Sequence, residues 1–414
     1  MIQRLLVIIL VCITTTTIAQ EATSSPYSFF GIGSLNFRGT VENRSMAGLS
    51  VYSDSIHLNL QNPSGLAHLK LVTFSVGGAY KYVNQQTSTE SGSASSTAIN
   101  YIALGMPLGD RFGAGFGVLP LTSVGYNLQS QAEDGSVLNR GQGGMNKVYV
   151  NFGYKINENF SLGIDLNYNF GNIINSTLLS NPDVEFATRE TNRSNLSGFS
   201  LKIGGTYRTM LNDKLELFSA ITYTPETKLE SENFRQFASV FVPNPNFQID
   251  VDVRDVDVDD SRLSLPSEVT LGLGIGQPRK WFIGAEYTIQ GSNDFSNRAF
   301  NLDNVEFSNA SRYKLGGFYV PRHTALSGYF NKVTYRAGVR YEDTGLRINN
   351  ENINEFGITF GVGLPVGRMF SNFNVGFEVG SRGTTNNGLV KENFFNTIIS
   401  LSLNDRWFVR TLYD

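Results

Sequence analysis

The chain has 414 residues, of which 41% are hydrophobic and only 17% charged, and its formal net charge is −3. That balance excludes the basic surface a nucleic-acid partner requires. With 42 Gly, 30 Phe and 18 Tyr, the composition favours strands over helices.

Residues 1–20 carry Arg4, then an apolar run from Leu5 to Ile13, then small residues ending Thr17-Ile18-Ala19. This is the three-part pattern of a secretory signal peptide, with cleavage expected after Ala19 or Gln20. The apolar run is too short to span a bilayer as a helix. The single cysteine, Cys12, lies inside this segment behind Val11, unlike the cysteine of a lipoprotein anchor. The mature chain therefore has neither disulfides nor thiolate ligands.

Residues 21–69 contain short apolar pieces and glycines, but no alternating arm of membrane-spanning length. From Leu71 onward the pattern changes to period two, the signature of strands whose side chains point to opposite faces. In the hairpin 265–290, Val269, Leu271, Leu273 and Ile275 alternate with Thr270, Gly272, Gly274 and Gly276. After Gln277-Pro278, Trp281, Ile283, Ala285, Tyr287 and Ile289 resume the apolar face. Phe160, Leu162, Ile164, Leu166, Tyr168 and Phe170 likewise enclose Gly163, Asp165, Asn167 and Asn169.

About fourteen such arms lie between residues 70 and 403, an even number, as single-chain outer-membrane barrels have. Short turns, such as Gly109-Asp110, Asn157-Glu158 and Asn212-Asp213, alternate with long polar stretches at 84–96, 128–143, 173–193, 225–262, 291–310, 343–352 and 382–392. Short connections on one side and long ones on the other place the turns in the periplasm, the loops outside and both termini in the periplasm. A soluble sandwich would also show many short strands. The signal peptide and the one-sided loops favour an all-β transmembrane barrel in the outer membrane of a Gram-negative bacterium.

Met46-Ala47-Gly48 followed by Asn62-Pro63-Ser64-Gly65-Leu66-Ala67 resembles the AG…NPAGLA segment of the FadL-type outer-membrane transporters of long-chain fatty acids and other hydrophobic compounds, with Ser64 where Ala is usual. Leu265-Pro266 with Trp281 resembles that family's LP strand and the tryptophan strand after it, and residues 335–341, YRAGVRY, resemble its late RAG-x-x-Y strand. The likeness covers the whole mature chain.

The resemblance implies a fourteen-stranded barrel, residues 70–403, with residues 21–69 folded into the lumen as a plug that includes Asn62, Pro63, Ser64 and Gly65. It also implies a break in the third strand that opens a side portal into the membrane. Here Pro120 lies in that strand; it either marks the break or merely ends the membrane-spanning part. The function implied is passive uptake of hydrophobic molecules, with outer-membrane lipid and small apolar compounds as partners. The tail 404–414, with Trp407 and Phe408, extends past the last strand and departs from the usual terminal aromatic. With the large 225–262 stretch, it motivates a second reading: an accessory barrel that docks proteins in an outer-membrane assembly or secretion complex.

Enzymatic and cofactor signatures are missing from the sequence. The glycines at 113, 115 and 117 sit mid-strand with no Walker or GxGxxG pattern, and there is no G-x-S-x-G elbow. His57, His68 and His323 lack metal-ligand spacing, and a phospholipase would need a Ser–His pair on the wall. No cofactor is expected. The acidic run 250–260 makes Asp255, Asp257 and Asp259 a candidate outer-loop cation site, although the glycine and terminal glutamate of an EF-hand are missing and a solvated strand would read the same way. Inward charges at Asp165, Glu286, Arg336, Arg340 and Glu378 fit either a water-filled lumen or one in which plug and wall pair their charges.

Overall fold

A computed structural model describes residues 23–132, 135–244, 247–291, 304–323, 328–367 and 371–407. The signal segment and residues 408–414, with Phe408, lie outside these.

Fourteen antiparallel strands close into a barrel. They are β1 (Val72–Gln86), β2 (Ser91–Leu108), β3 (Phe112–Ala132), β4 (Gly135–Lys155), β5 (Phe160–Ser180), β6 (Ala187–Met210), β7 (Glu216–Thr224), β8 (Glu268–Gln277), β9 (Trp281–Gln290), β10 (Ala310–Tyr319), β11 (Thr334–Ile348), β12 (Glu351–Pro365), β13 (Asn372–Arg382) and β14 (Lys391–Asp405). Closure comes from β14 pairing with β1, from Asp405↔Val72 to Lys391↔Gln86.

The alternation read in the sequence sets which side faces where. On β5, Leu162 is 52% exposed and Asp165 2%. Apolar side chains point outward and polar ones inward, as lipid outside and a polar lumen inside demand.

Several stretches read as long loops are strands instead. β3, β4, β5 and β6 run on outward well past the ten or so residues a bilayer crossing needs. Stretch 225–262 supplies strands Thr227–Asn244, Phe247–Val256 and Ser261–Leu265. Thr227–Asn244 pairs with the outer half of β6, from Ala187↔Val240 to Ser197↔Glu230, and Phe247–Val256 pairs with it in turn. Beyond the membrane the chain therefore raises a sheet on β6 where the sequence suggested long loops. Its polar sequence hid it, because strands wetted on their faces lose the apolar half of the alternation.

Candidate functional site: the lumen and the N-terminal segment

Residues 23–71 pack against the inward faces of the strands. They contain little regular structure: a 3-10 turn at Pro26–Phe29, a two-residue strand Ser34–Leu35, one helical turn Val41–Arg44 capped by Thr40, and a 3-10 helix Pro63–His68. Leu49, Val51, Asn62 and Ser64 are fully buried.

Two rows of glycine receive this segment. Gly113, Gly153, Gly163 and Gly204 stand in register across β3–β6. A Cβ at Gly163 would collide with the backbone of Pro63 and Ser64, and one at Gly113 with Leu66. On the opposite wall Gly284, Gly316 and Gly338 stand in register across β9–β11. There a Cβ would lie 2.7 Å from the Met46 carbonyl oxygen at Gly316 and 2.6 Å from the Ala47 amide at Gly338. The two sequence motifs of this region thus dock on two Cβ-free patches of wall. The sequence reading noted Gly113 and Gly163 but not the register they share with Gly153 and Gly204, which a strand alignment at inward positions would have exposed.

Asn62 caps the helix that follows, accepting from Ser64 N at 3.1 Å, while its amide donates to Thr206 Oγ1 at 3.3 Å. Ser64 Oγ also meets Thr206 Oγ1, and a Cβ on Gly65 would press on Ser53 Oγ at 2.6 Å. Pro63 lies over Gly163 and Gly204. On the other wall Thr359 Oγ1 accepts from Ala47 N at 2.9 Å and donates to Ser45 O at 3.2 Å.

Charge crosses the same interface. Arg44 pairs with Glu378 at 2.6 Å, and Glu378 also accepts from Arg340 Nε at 2.8 Å. Glu286 accepts from the backbone amides of Ser50 and Val51 and pairs with Lys314 at 3.2 Å. Arg38 reaches Glu268 at 2.6 Å, Arg336 donates to Asn374 at 3.2 Å, and Asp165 pairs with Lys147 at 3.4 Å. Of the two lumens consistent with mixed inward charge, this is the one in which segment and wall pair charges across their contact. Among the described residues a cavity of about 300 Å³ lies between the segment and the wall, with Arg38, Lys202, Glu268 and Arg312 in its lining.

At the turn end, Asp54 accepts from the backbone of Ile56 and His57 and from the His57 ring at 2.6 Å. Burial opposes its ionisation, but the histidine and the two amides outweigh burial and hold the carboxyl down at about 2. Burial works against the His57 charge too, and Asp54 prevails and raises its pKa. Burial, with Arg208 and Lys155 nearby, drops His68 to about 4, so its ring is neutral at physiological pH. His68 Nε2 lies 3.3 Å from Ser161 Oγ, the Ser–His contact the sequence left unplaced, yet among the described residues no carboxylate bonds to that ring to orient it as a base.

Pro120 stands where the wall is interrupted. The β2–β3 ladder stops at Ile102↔Val118, two residues short of it, and a bulge separates Pro120 from Thr122 on the β4 side. Past this point the N-terminal segment takes the place of β2. Ser34–Leu35 pairs with Ser123 and Thr122, Asn36 N donates to Leu121 O at 3.0 Å, and Ser28 Oγ bonds both backbone groups of Gly125.

The candidate cation site does not assemble. Asp255 accepts from Gln236 at 2.9 Å and the Asp259 carbonyl from Asn233 at 3.0 Å. Among the described residues no three His, Cys, Asp or Glu side chains gather to hold a metal. The acidic run is a solvated strand and its continuation.

A segment packed against the inward faces, outward apolar faces and strands extended beyond the bilayer define the class: a closed, membrane-spanning β-barrel with the fold of the FadL-type proteins. The structure of the Pseudomonas putida toluene transporter TodX is similar with a TM-score of 0.60 and 16% identity, over 90% of this chain and 99% of that one. A FadL homologue of Pseudomonas aeruginosa gives 0.57 and 14%, over 90% and 98%. A TodX deletion mutant, described as a monoaromatic hydrocarbon channel, gives 0.59 and 17%, over 88% and 98%. At these identities the likeness is one of fold. No curated protein matches the chain by sequence. The BamG family model matches residues 1–414, and the chain belongs to that family.

Proposed function

We propose that this protein is a sealed, non-transporting barrel that serves as a subunit of a multiprotein outer-membrane assembly or secretion complex. The carrying observation is the docking of residues 23–71: backbone against glycine on two walls, with buried charges paired across the contact. A segment held this way is a fixed plug, since withdrawing it would strand buried ions. The cavity left beside it sets charged side chains among apolar ones. The family matched along the whole chain is BamG rather than the transporters whose fold it shares. The outward sheet built on β3–β6 offers the docking surface. Residues 1–20 act as the export signal, and the tail from 404 onward reaches partners on the periplasmic side.

The second reading, uptake of hydrophobic molecules such as long-chain fatty acids, draws on the interrupted β2–β3 ladder. In it, cargo would leave sideways into the bilayer beside Pro120. Mass spectrometry of mildly extracted barrel separates the two. Stoichiometric protein partners with no bound apolar molecule support the subunit; a stoichiometric fatty acid without protein overturns it.

A further inference from the structure

Glu268, at the start of β8, lies where the 300 Å³ cavity meets a smaller one of about 60 Å³. Three cations from three separate elements converge on this one carboxylate: Arg38 of the N-terminal segment at 2.6 Å, Arg312 of β10 at 3.2 Å and Lys202 of β6 at 3.6 Å. Arg312 has a second partner in Glu342 at 3.0 Å, but Glu342 is shared with Arg340. Lys202 is 8% exposed, and among the described residues it makes no hydrogen bond; its approach to Glu268 is its one ion pair.

Buried charge that is not neutralised is costly, and buried cations in excess of their carboxylates call for a counter-anion. Elsewhere in the lumen Lys314 with Glu286 and Lys147 with Asp165 pair one to one. Here the positive excess borders open space. Arg312 donates to Glu342, Glu268 and Gln290 and so supplies mainly charge. The Arg38 guanidinium and the Lys202 ammonium keep donors to spare, which suits a tetrahedral oxyanion that accepts from several directions at once.

We propose that Arg38, Lys202 and Arg312 form a binding site for a phosphate group, either free phosphate or the phosphate of a lipid headgroup, held in the lumen beside Glu268. The site is independent of the subunit reading. It gives the cavity a ligand chemistry opposite to that of an apolar cargo.

The test uses the full-length barrel in a neutral detergent, with radiolabelled inorganic phosphate in equilibrium dialysis. A second arm uses nanodiscs of phosphatidylcholine with and without phosphatidylglycerol, followed by phospholipid analysis of the re-extracted protein. Saturable phosphate binding that weakens about tenfold or more in Lys202→Met and is retained in Lys202→Arg identifies a free oxyanion. Retention of phosphatidylglycerol with the same dependence, without phosphate binding, assigns a lipid headgroup. Heat-modifiable migration on gels verifies that each variant is folded. Binding of neither probe, or binding unchanged in folded Lys202→Met, overturns the proposal.

Discussion

The two walls that hold the N-terminal segment do so by different physics. Against β3–β6, residues 62–67 lie on a glycine row and make neutral hydrogen bonds to Thr206. Against β9–β13, residues 44–51 meet a shorter glycine row and also buried charge at Glu286 and Glu378. The first contact is specified by shape, so overfilling it does the damage. The second is specified by charge neutrality, so deleting one partner does. A segment with almost no regular structure of its own needs both, because its backbone groups have few partners within it.

That difference can be broken one wall at a time. Glu378→Ala should have the largest effect, leaving Arg44 and Arg340 without their shared carboxylate at a cost of about 3–5 kcal/mol. Hydrogen exchange should show residues 40–51 losing protection while the strands keep theirs. Gly163→Val should come next, at about 1–3 kcal/mol from overpacking, with exchange rising first at residues 62–67. Thr206→Val removes neutral bonds only and should cost about 1 kcal/mol, read from the same amides.

A separate effect is one of pH, at the turn end. Because the Asp54 pKa is depressed to about 2, its contribution is complete above the ordinary carboxylate value and is lost as pH falls through about 2. Protection at Ile56 and His57 should therefore hold from neutrality to about pH 4 and decline below it. In Asp54→Asn it should be weak throughout, with no such acid limb.

The transmembrane strands were legible because lipid and lumen impose opposite demands on alternate residues. Leu271 and Leu273 had to face out, and Gly272 and Gly274 did not. Of the outward sheet, the acidic run was readable from its alternation as a solvated strand, but Thr227–Asn244, wetted along much of its length, was read only as part of a long polar stretch. Asn62-Pro63-Ser64-Gly65 could be singled out by resemblance, but its role depends on Gly163 and Gly204, far along the chain and invisible to local pattern. Pro120 was readable as a ladder breaker. The substitution of Ser34–Leu35 for the missing neighbour was not, since two residues carry no periodicity. Alternation can set aspartates on one face without bringing them within reach of one ion, and among the described residues no three acidic side chains gather.

The central claim, that the segment is fixed in place, is tested most directly by locking it there. Ser64 Oγ and Thr206 Oγ1 are in contact, so Ser64→Cys with Thr206→Cys places two thiols within disulfide reach. Function in cells should be the same whether this pair is oxidised or reduced. Uptake of an apolar compound that is present when the pair is reduced, lost on oxidation and restored by a reductant would contradict the account.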